Sequence, residues 1–317
     1  MTASVTTATA PSPTRPSRPR RRGRRAALTP GARAARRRRA LIGWAFLAPL
    51  LVLNVIVVLG PSIATVWYSF TDWSGLGPAR FTGFANYTRA FKDPEVHAAL
   101  EHNLIWLALF LIVPSILGML GAYLLGQIKR GQMVFRALYF IPYISASVVN
   151  AAVWKMLLSP DSGVAHQFGS DVSFLGDPNL SLYAVNFVVD WHFWGFTAVI
   201  YFAAMQGVDP QLYDASKVDG ANRWQQFKSV TLPGIRPTVV FLVLMSVIWT
   251  LKAFDYVFIM TQGGPAGSSD VVATVMYNHA FNQYEAGYAA SLGLTMTVIV
   301  GLILLGYRWM RKRGWED

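Results

Sequence analysis

The sequence predicts an all-α membrane protein with six transmembrane helices, and three observations lead to that class. Hydrophobic residues fill 53% of the 317 positions and charged residues only 14%, against roughly 25% charged in soluble globular domains. Six apolar runs, at 41–61, 104–126, 137–158, 184–206, 237–260 and 286–307, meet the roughly 20 residues needed to cross about 30 Å of hydrocarbon. Positive charge is concentrated at the N-terminus and in alternate loops, as an inserted multi-pass chain requires. A soluble bundle of six buried helices could be as apolar overall, but a run such as 104–126, with no charged residue in it, argues against that.

Residues 1–40 contain twelve arginines and no lysine or acid, so they hold the whole formal net charge of +12. The chain from 41 onward has 16 basic and 16 acidic residues. The Pro, Ser, Thr and Ala content of 1–40 predicts a disordered arginine-rich tail. It would hold the start of the first span in the cytoplasm and touch anionic lipid headgroups. Basic arms also bind nucleic acid, but this one has neither aromatic platform nor folded reader, so no nucleic-acid partner is expected. The tail is too long for the charged region of an ordinary signal peptide, and no small-residue cleavage site ends a short apolar core. The first span is therefore expected to remain as an anchor.

The later loops follow the same rule. The segment 128–136 carries Lys129, Arg130 and Arg136, the segment 207–236 carries Lys217, Arg223, Lys228 and Arg236, and the C-terminal end carries Arg308, Arg311, Lys312 and Arg313. Segments 159–183 and 261–285 contain no Lys or Arg. The loop after the first span is the exception, with Arg80, Arg89 and Lys92 set against Asp72, Asp93, Glu95 and Glu101. Both termini, including a short tail at 311–317, and the loop 207–236 are thus expected in the cytoplasm of a plasma-membrane protein.

That loop is the most patterned polar stretch of the chain. Asp209 followed by Pro210 is a helix start, because Pro at the first helical position loses no needed N–H. Leu212, Ala215 and Val218 recur at helical spacing and form one apolar face. Gly220 suits the left-handed residue that ends such a helix. Asp219 or Asn222 then serves as the cap of a second helix, in which Trp224, Phe227 and Val230 fall three apart before Pro233 ends it. Two short amphipathic helices beside a bilayer are built to lie on its surface or to dock into a partner.

Within the spans, ionisable groups are costly, so Lys155, Asp190, His192, Lys252 and Asp255 are expected to be paired or to face water. Lys252 and Asp255, three apart, can neutralise one another on one helix face. Asp190, Trp191, Trp194 and Tyr201 in the fourth run place aromatic faces beside hydrogen-bonding groups. Asn150 and Trp154 in the third run, and Trp249, Phe254, Asp255 and Tyr256 in the fifth, can line the same route. Sugars offer both apolar C–H faces and hydroxyls, and stacking surfaces with polar anchors suit them. Tryptophans also anchor helices at the interface, so each of these residues has a structural reading beside the functional one.

Other chemistries lack their residues. There is no cysteine, hence neither disulfide nor thiolate metal site. No Gly-x-x-x-x-Gly-Lys-Ser/Thr occurs, so no P-loop for ATP is present. His97 and His102, with Glu101 between them, do not have zinc-protease spacing and are expected to be solvated or capping residues. Neither a metal site nor a catalytic residue is expected. The sequons at Asn86 and Asn179 are too short a signal to carry an argument.

At the loop 207–236 the sequence resembles a known family. Asp214-Ala215-Ser216, Asp219-Gly220-Ala221, Phe227 and Leu232-Pro233 look like the EAA loop of binding-protein-dependent ABC importer permeases of the carbohydrate type. The family pattern begins Glu-Ala-Ala; Asp214 and Ser216 depart from it and shorten the acidic arm. Residues 44–49 (Trp-Ala-Phe-Leu-Ala-Pro), 69–72 (Ser-Phe-Thr-Asp), 84–87 (Phe-Ala-Asn-Tyr), Phe254-Asp255 and 261–265 (Thr-Gln-Gly-Gly-Pro) extend the likeness in matching order, over about 41–310.

The resemblance implies the type I importer arrangement of spans, with 207–236 as a cytoplasmic coupling loop. It implies a second, homologous permease subunit, a cytoplasmic ABC ATPase dimer and an extracellular solute-binding protein as partners. ATP and Mg would be used by the ATPase, this chain holding no cofactor. Asp214 would pair with a basic ATPase group, Ala215, Val218 and Phe227 would fill the docking cleft, and Gly220 would set the angle between the loop helices. The first outside loop and the 261–265 turn would face the binding protein. Two other classes compete. An ion-coupled secondary carrier for a small polar solute would rely on Asp190, His192 and Asp255, and would have no use for the loop. A membrane tether presenting the basic tail would lose its function on deletion of 1–36.

Overall fold

A computed structural model of the chain describes residues 30–169 and 172–312. The described residues are helical apart from turns and one isolated bridge between Thr71 and Phe81. The chain divides into two compact units, Met1–Gly60 and Pro61–Asp317.

In the first unit, α1 covers Pro30–Asn54 and passes into a π-helical turn, Val55–Leu59. The expected disorder of 1–40 therefore stops short: residues 30–40 are helical, and the rest of that tail lies outside the described residues. The local reason is composition, since Ala and Arg are strong helix formers and extend the apolar helix backwards.

The second unit contains α2 (Gly60–Tyr68), α3 (Ala85–Ala90), α4 (Pro94–Gln127), α5 (Gln132–Ile144), α6 (Ser147–Leu157), α7 (Val164–Gln167) and α8 (Ser181–Gln206). The loop 207–236 holds α9 (Pro210–Val218), α10 (Arg223–Gln226), a π-turn and α11 (Leu232–Gly234). Then follow α12 (Arg236–Leu251), α13 (Asp255–Met260), α14 (Val272–Tyr277), a second π-turn and α15 (Ala286–Lys312). Four stretches, Leu41–Tyr68, Pro94–Gln127, Ser181–Gln206 and Ala286–Met310, are long and apolar enough to span a membrane. They match four of the six expected runs.

The other two runs depart from straight helices. In the third, α5 and α6 meet at 89°. The bend leaves the Pro142 carbonyl without a helical partner, and the Ser145 hydroxyl (2.9 Å) and Asn150 Nδ2 (3.2 Å) donate to it instead, which is how a broken helix survives in hydrocarbon. In the fifth, α12 ends after only 16 residues. The chain loosens over Lys252, Ala253 and Phe254 before α13, and Asn103 Nδ2 donates to the buried Thr250 carbonyl at the helix end (3.0 Å). Lys252 and Asp255 are separated by this break and form no ion pair among the described residues. Asp255 instead accepts from the Ser147 hydroxyl at 2.7 Å.

The core of this unit follows α4, whose 34 residues measure about 51 Å at 1.5 Å each. Near its start, Val96 and Ala99 pack with Val272, Val275, Tyr288 and Leu292. At mid-length, Trp106 and Phe110 pack with α8 and α13. Near its end, Ala122 and Leu125 pack with Val208 and Ile235, which bracket the loop 207–236. The close fit of α5 on α8 depends on Gly195, where a Cβ would collide with the Tyr139 carbonyl oxygen.

Candidate functional site

Two regions at different depths along α4 carry the residues singled out in the sequence. The first is the loop at its C-terminal end. Asp209 caps α9 by accepting from the Gln211 amide at 2.9 Å, with Pro210 at the first position. Gly220 ends the helix with φ +80°. The Ala221 amide reaches back to the Ser216 carbonyl (2.9 Å) and the Gly220 amide to Lys217 (3.0 Å), the paired bonds of a Schellman end. Asn222, one of the two expected candidates, caps α10. It accepts from the Gln225 amide (2.9 Å) while the Gln225 side chain accepts from the Asn222 amide (2.7 Å), a reciprocal capping box.

The second loop helix does not stop at Pro233. It runs through the π-turn and α11 and bends by 69° into α12. Pro233 comes just after the π-turn, within the first two positions of α11. The two loop helices are tied by Tyr213 and Thr231, whose hydroxyls lie 2.9 Å apart.

This framework turns an apolar face outward. Leu212 is exposed, as is Ala215, and Val218 is 88% exposed. Trp224, 70% exposed, stacks on half-buried Phe227 at 5.5 Å between ring centres. Asp214 is exposed and paired with Lys217 at 2.9 Å. Asp219, Leu232 and Pro233 are exposed; Ser216 and Ala221 are half-buried, and the Ser216 hydroxyl donates to the Tyr213 carbonyl.

The second region is a cavity of about 280 Å³ at the break between α12 and α13. Trp249, Phe254, Asp255 and Tyr256 line it, as the sequence suggested, and Trp106, Phe110, Phe193, His192, Ser147 and Lys252 are also in its wall. Asn150 stands behind the wall, its Nδ2 2.7 Å from His192 Nδ1. The remaining residues expected on this route do not line the cavity. Trp154 packs edge-on against Trp191 (5.2 Å) and Phe187, and Trp194 lies against Tyr139 at 4.8 Å. Tyr201 is 1% exposed within the core. Asp190 is buried and accepts from Asn186 Nδ2 at 2.7 Å. Helical spacing hides this division, because it does not tell which face of α8 turns toward α12. Trp106 and Phe110, four apart on α4, carried the only available signal for the missed side of the cavity.

At the opposite end of α4 from the loop, polar groups tie α3 and α4 to the start of α15. Arg89 makes a bidentate pair with Glu285 (2.9 and 2.8 Å) and lies 4.0 Å over the Tyr288 ring. Buried His279 sits 2.8 Å from Glu285 and 3.5 Å from Glu95, and Tyr288 donates to Asp93. The 261–265 turn is fixed nearby by the Ser269 hydroxyl donating to the Gly264 carbonyl at 2.7 Å.

These features define a multi-pass α-helical membrane protein with a broken-helix cavity and a structured polar loop at one end. The chain belongs to the family of binding-protein-dependent transport system inner membrane components, whose pattern matches residues 115–314; it is a permease subunit of an ABC importer. A probable ABC transporter permease of Pyrococcus horikoshii is 32% identical over 86% of this chain and 96% of its own length. The diacetylchitobiose uptake system permease NgcF of Streptomyces coelicolor is 33% identical over 85% of this chain and 84% of its own length. The lactose transport system permease LacF of Rhizobium radiobacter is 28% identical, covering 82% and 91%. Among solved structures, a chain of a bacterial alginate importer superposes with a TM-score of 0.76 at 24% identity, covering 87% of this chain and 96% of its own. The likeness read in the loop is thus borne out at the level of the family, and nothing supports the secondary-carrier reading.

Proposed function

We propose that this chain forms half of the membrane path of a sugar importer, paired with a second permease and driven by a cytoplasmic ABC ATPase dimer. The observation that carries the reading is the loop 207–236: two capped helices, locked to one another, that hold Leu212, Ala215 and Val218 uncovered. An apolar face kept rigid and bare is shaped for a partner.

ATP and Mg act in the ATPase, and this chain contributes no catalytic group. Closure of the ATPase pushes the loop helices, and the bend into α12 passes the motion to the cavity at the α12–α13 break, as rigid elements do in domain switches. Asp214 exchanges Lys217 for a basic ATPase group, while Ala215, Val218 and Phe227 enter the docking cleft. Both termini and the loop lie in the cytoplasm; the Arg89–Glu285 end and the 261–265 turn meet the loaded solute-binding protein outside. In the cavity, Trp249, Phe254 and Tyr256 offer stacking faces and Asp255 a hydrogen-bond acceptor. A neutral sugar suits this wall, because its one cation, Lys252, stands in the same wall as the carboxylate of Asp255 and no arginine lies between Arg136 and Arg223 to hold an acidic solute.

The test is co-purification of the tagged chain from its native membrane. An ATPase carrying a P-loop and a second permease should remain bound, and both should weaken with Asp214→Arg. A chain that purifies alone, or an Asp214→Arg variant that keeps its ATPase at wild-type level, refutes the docking role.

A further inference from the structure

We propose that the groove between α4, α12 and the second loop helix is a binding site for an anionic phospholipid. The groove has a volume of about 760 Å³ and is walled by apolar side chains such as Leu111, Met119 and Val243, with Tyr123, Trp224 and Arg223 at its loop end. Among the described residues the Arg223 guanidinium has no ion-pair partner, although it stands at the rim of an apolar channel.

Length and polarity select the occupant. Leu111 and Tyr123 are twelve residues apart on α4, about 18 Å at 1.5 Å per residue, close to one leaflet of a hydrocarbon core about 30 Å thick. One acyl chain therefore fits along the α4 wall. Lipid at that depth places its headgroup at the loop end, where Tyr123 and Trp224 are the aromatic types favoured at the membrane interface. Arg223, with its planar fork of donors, matches a phosphate there. A partner helix would cover the apolar wall and leave the exposed Arg223 without a countercharge, whereas an anionic headgroup supplies that charge with the chain that fills the channel.

The proposal places lipid against α10 and α12, the two sides of the 69° bend; it does not depend on the loop's role in docking an ATPase. Its test uses the full chain with its co-purified partners in proteoliposomes containing phosphatidylglycerol or phosphatidylcholine, each with a photoactivatable acyl chain, followed by peptide mapping. Labelling of residues 111–123 should be about fivefold stronger with phosphatidylglycerol, the ratio that about 1 kcal/mol for one basic side chain at the surface gives. Arg223→Gln should bring it down to the phosphatidylcholine level, while Arg223→Lys, which keeps the charge, should retain most of it. Equal labelling by the two lipids, labelling unchanged in Arg223→Gln, or a groove that is unlabelled and instead crosslinks to a second protein would overturn the proposal.

Discussion

Gly220 is the position where one atom should decouple the loop without unfolding the protein. Its φ of +80° lies in the left-handed region, which costs a residue with a Cβ roughly 1–2 kcal/mol. A Cβ there meets nothing within 4 Å, so the cost of Gly220→Ala is that of the backbone alone. If the Schellman end relaxes to avoid it, the angle between α9 and α10 changes, and the fraction of loops in docking geometry falls by about five- to thirtyfold. Gly220→Pro is harsher, because proline fixes φ near −65° and removes the amide that donates to Lys217 (3.0 Å). Gly220→Asn should be mild, since asparagine tolerates the left-handed region. The assay is sugar uptake by proteoliposomes of the assembled transporter, alongside ATPase retention on the tagged chain. The expected order is wild type, Asn, Ala, Pro, with membrane insertion equal in all four. Wild-type uptake and retention by Gly220→Pro would refute the argument that the loop's angle matters.

Trp249→Ala, which removes one of the two indole rings in the cavity wall, should lower uptake at least tenfold while leaving ATPase retention unchanged; loss of both together would place Trp249 in the fold instead. Gly195→Ala forces a Cβ onto the Tyr139 carbonyl, an overpacking of about 3 kcal/mol or more, and should lower the thermal midpoint sharply in detergent by size-exclusion fluorescence. At the opposite end, the hydrogen bond from Arg89 holds the Glu285 carboxyl below its usual range despite partial burial, with His279 assisting. A depressed pKa stabilises the fold above the unfolded value and is lost as pH falls through the folded one. Stability should therefore drop below about pH 4.5, the ordinary glutamate range, and Glu285→Gln should flatten that part of the pH profile.

Composition and local spacing were enough for the class, for the number of apolar runs and for the caps of the loop helices, though not for the end of the second one at Pro233. Each rests on interactions among near neighbours: composition against the bilayer, Asp209 and Asn222 on amides two or three residues away, and the left-handed Gly220. The sequence also carried the family likeness. What it did not reveal was where the helices break. Hydropathy averages over 137–158 and 237–260 and sees two continuous runs, yet α5 turns by 89° into α6 and α12 stops at Leu251. These breaks hold because Asn150, Ser145 and Asn103 reach the freed carbonyls, and the Asn103 contact joins residues 147 positions apart. The cavity follows from the same cause. Trp249, Phe254, Asp255 and Tyr256 meet Trp106 and Phe110 because α12 ends beside α4, whereas Trp191, Trp194 and Tyr201 turn elsewhere on α8. Which face of a helix meets which neighbour is set by packing between elements distant in the chain, and that information exists only in the tertiary structure.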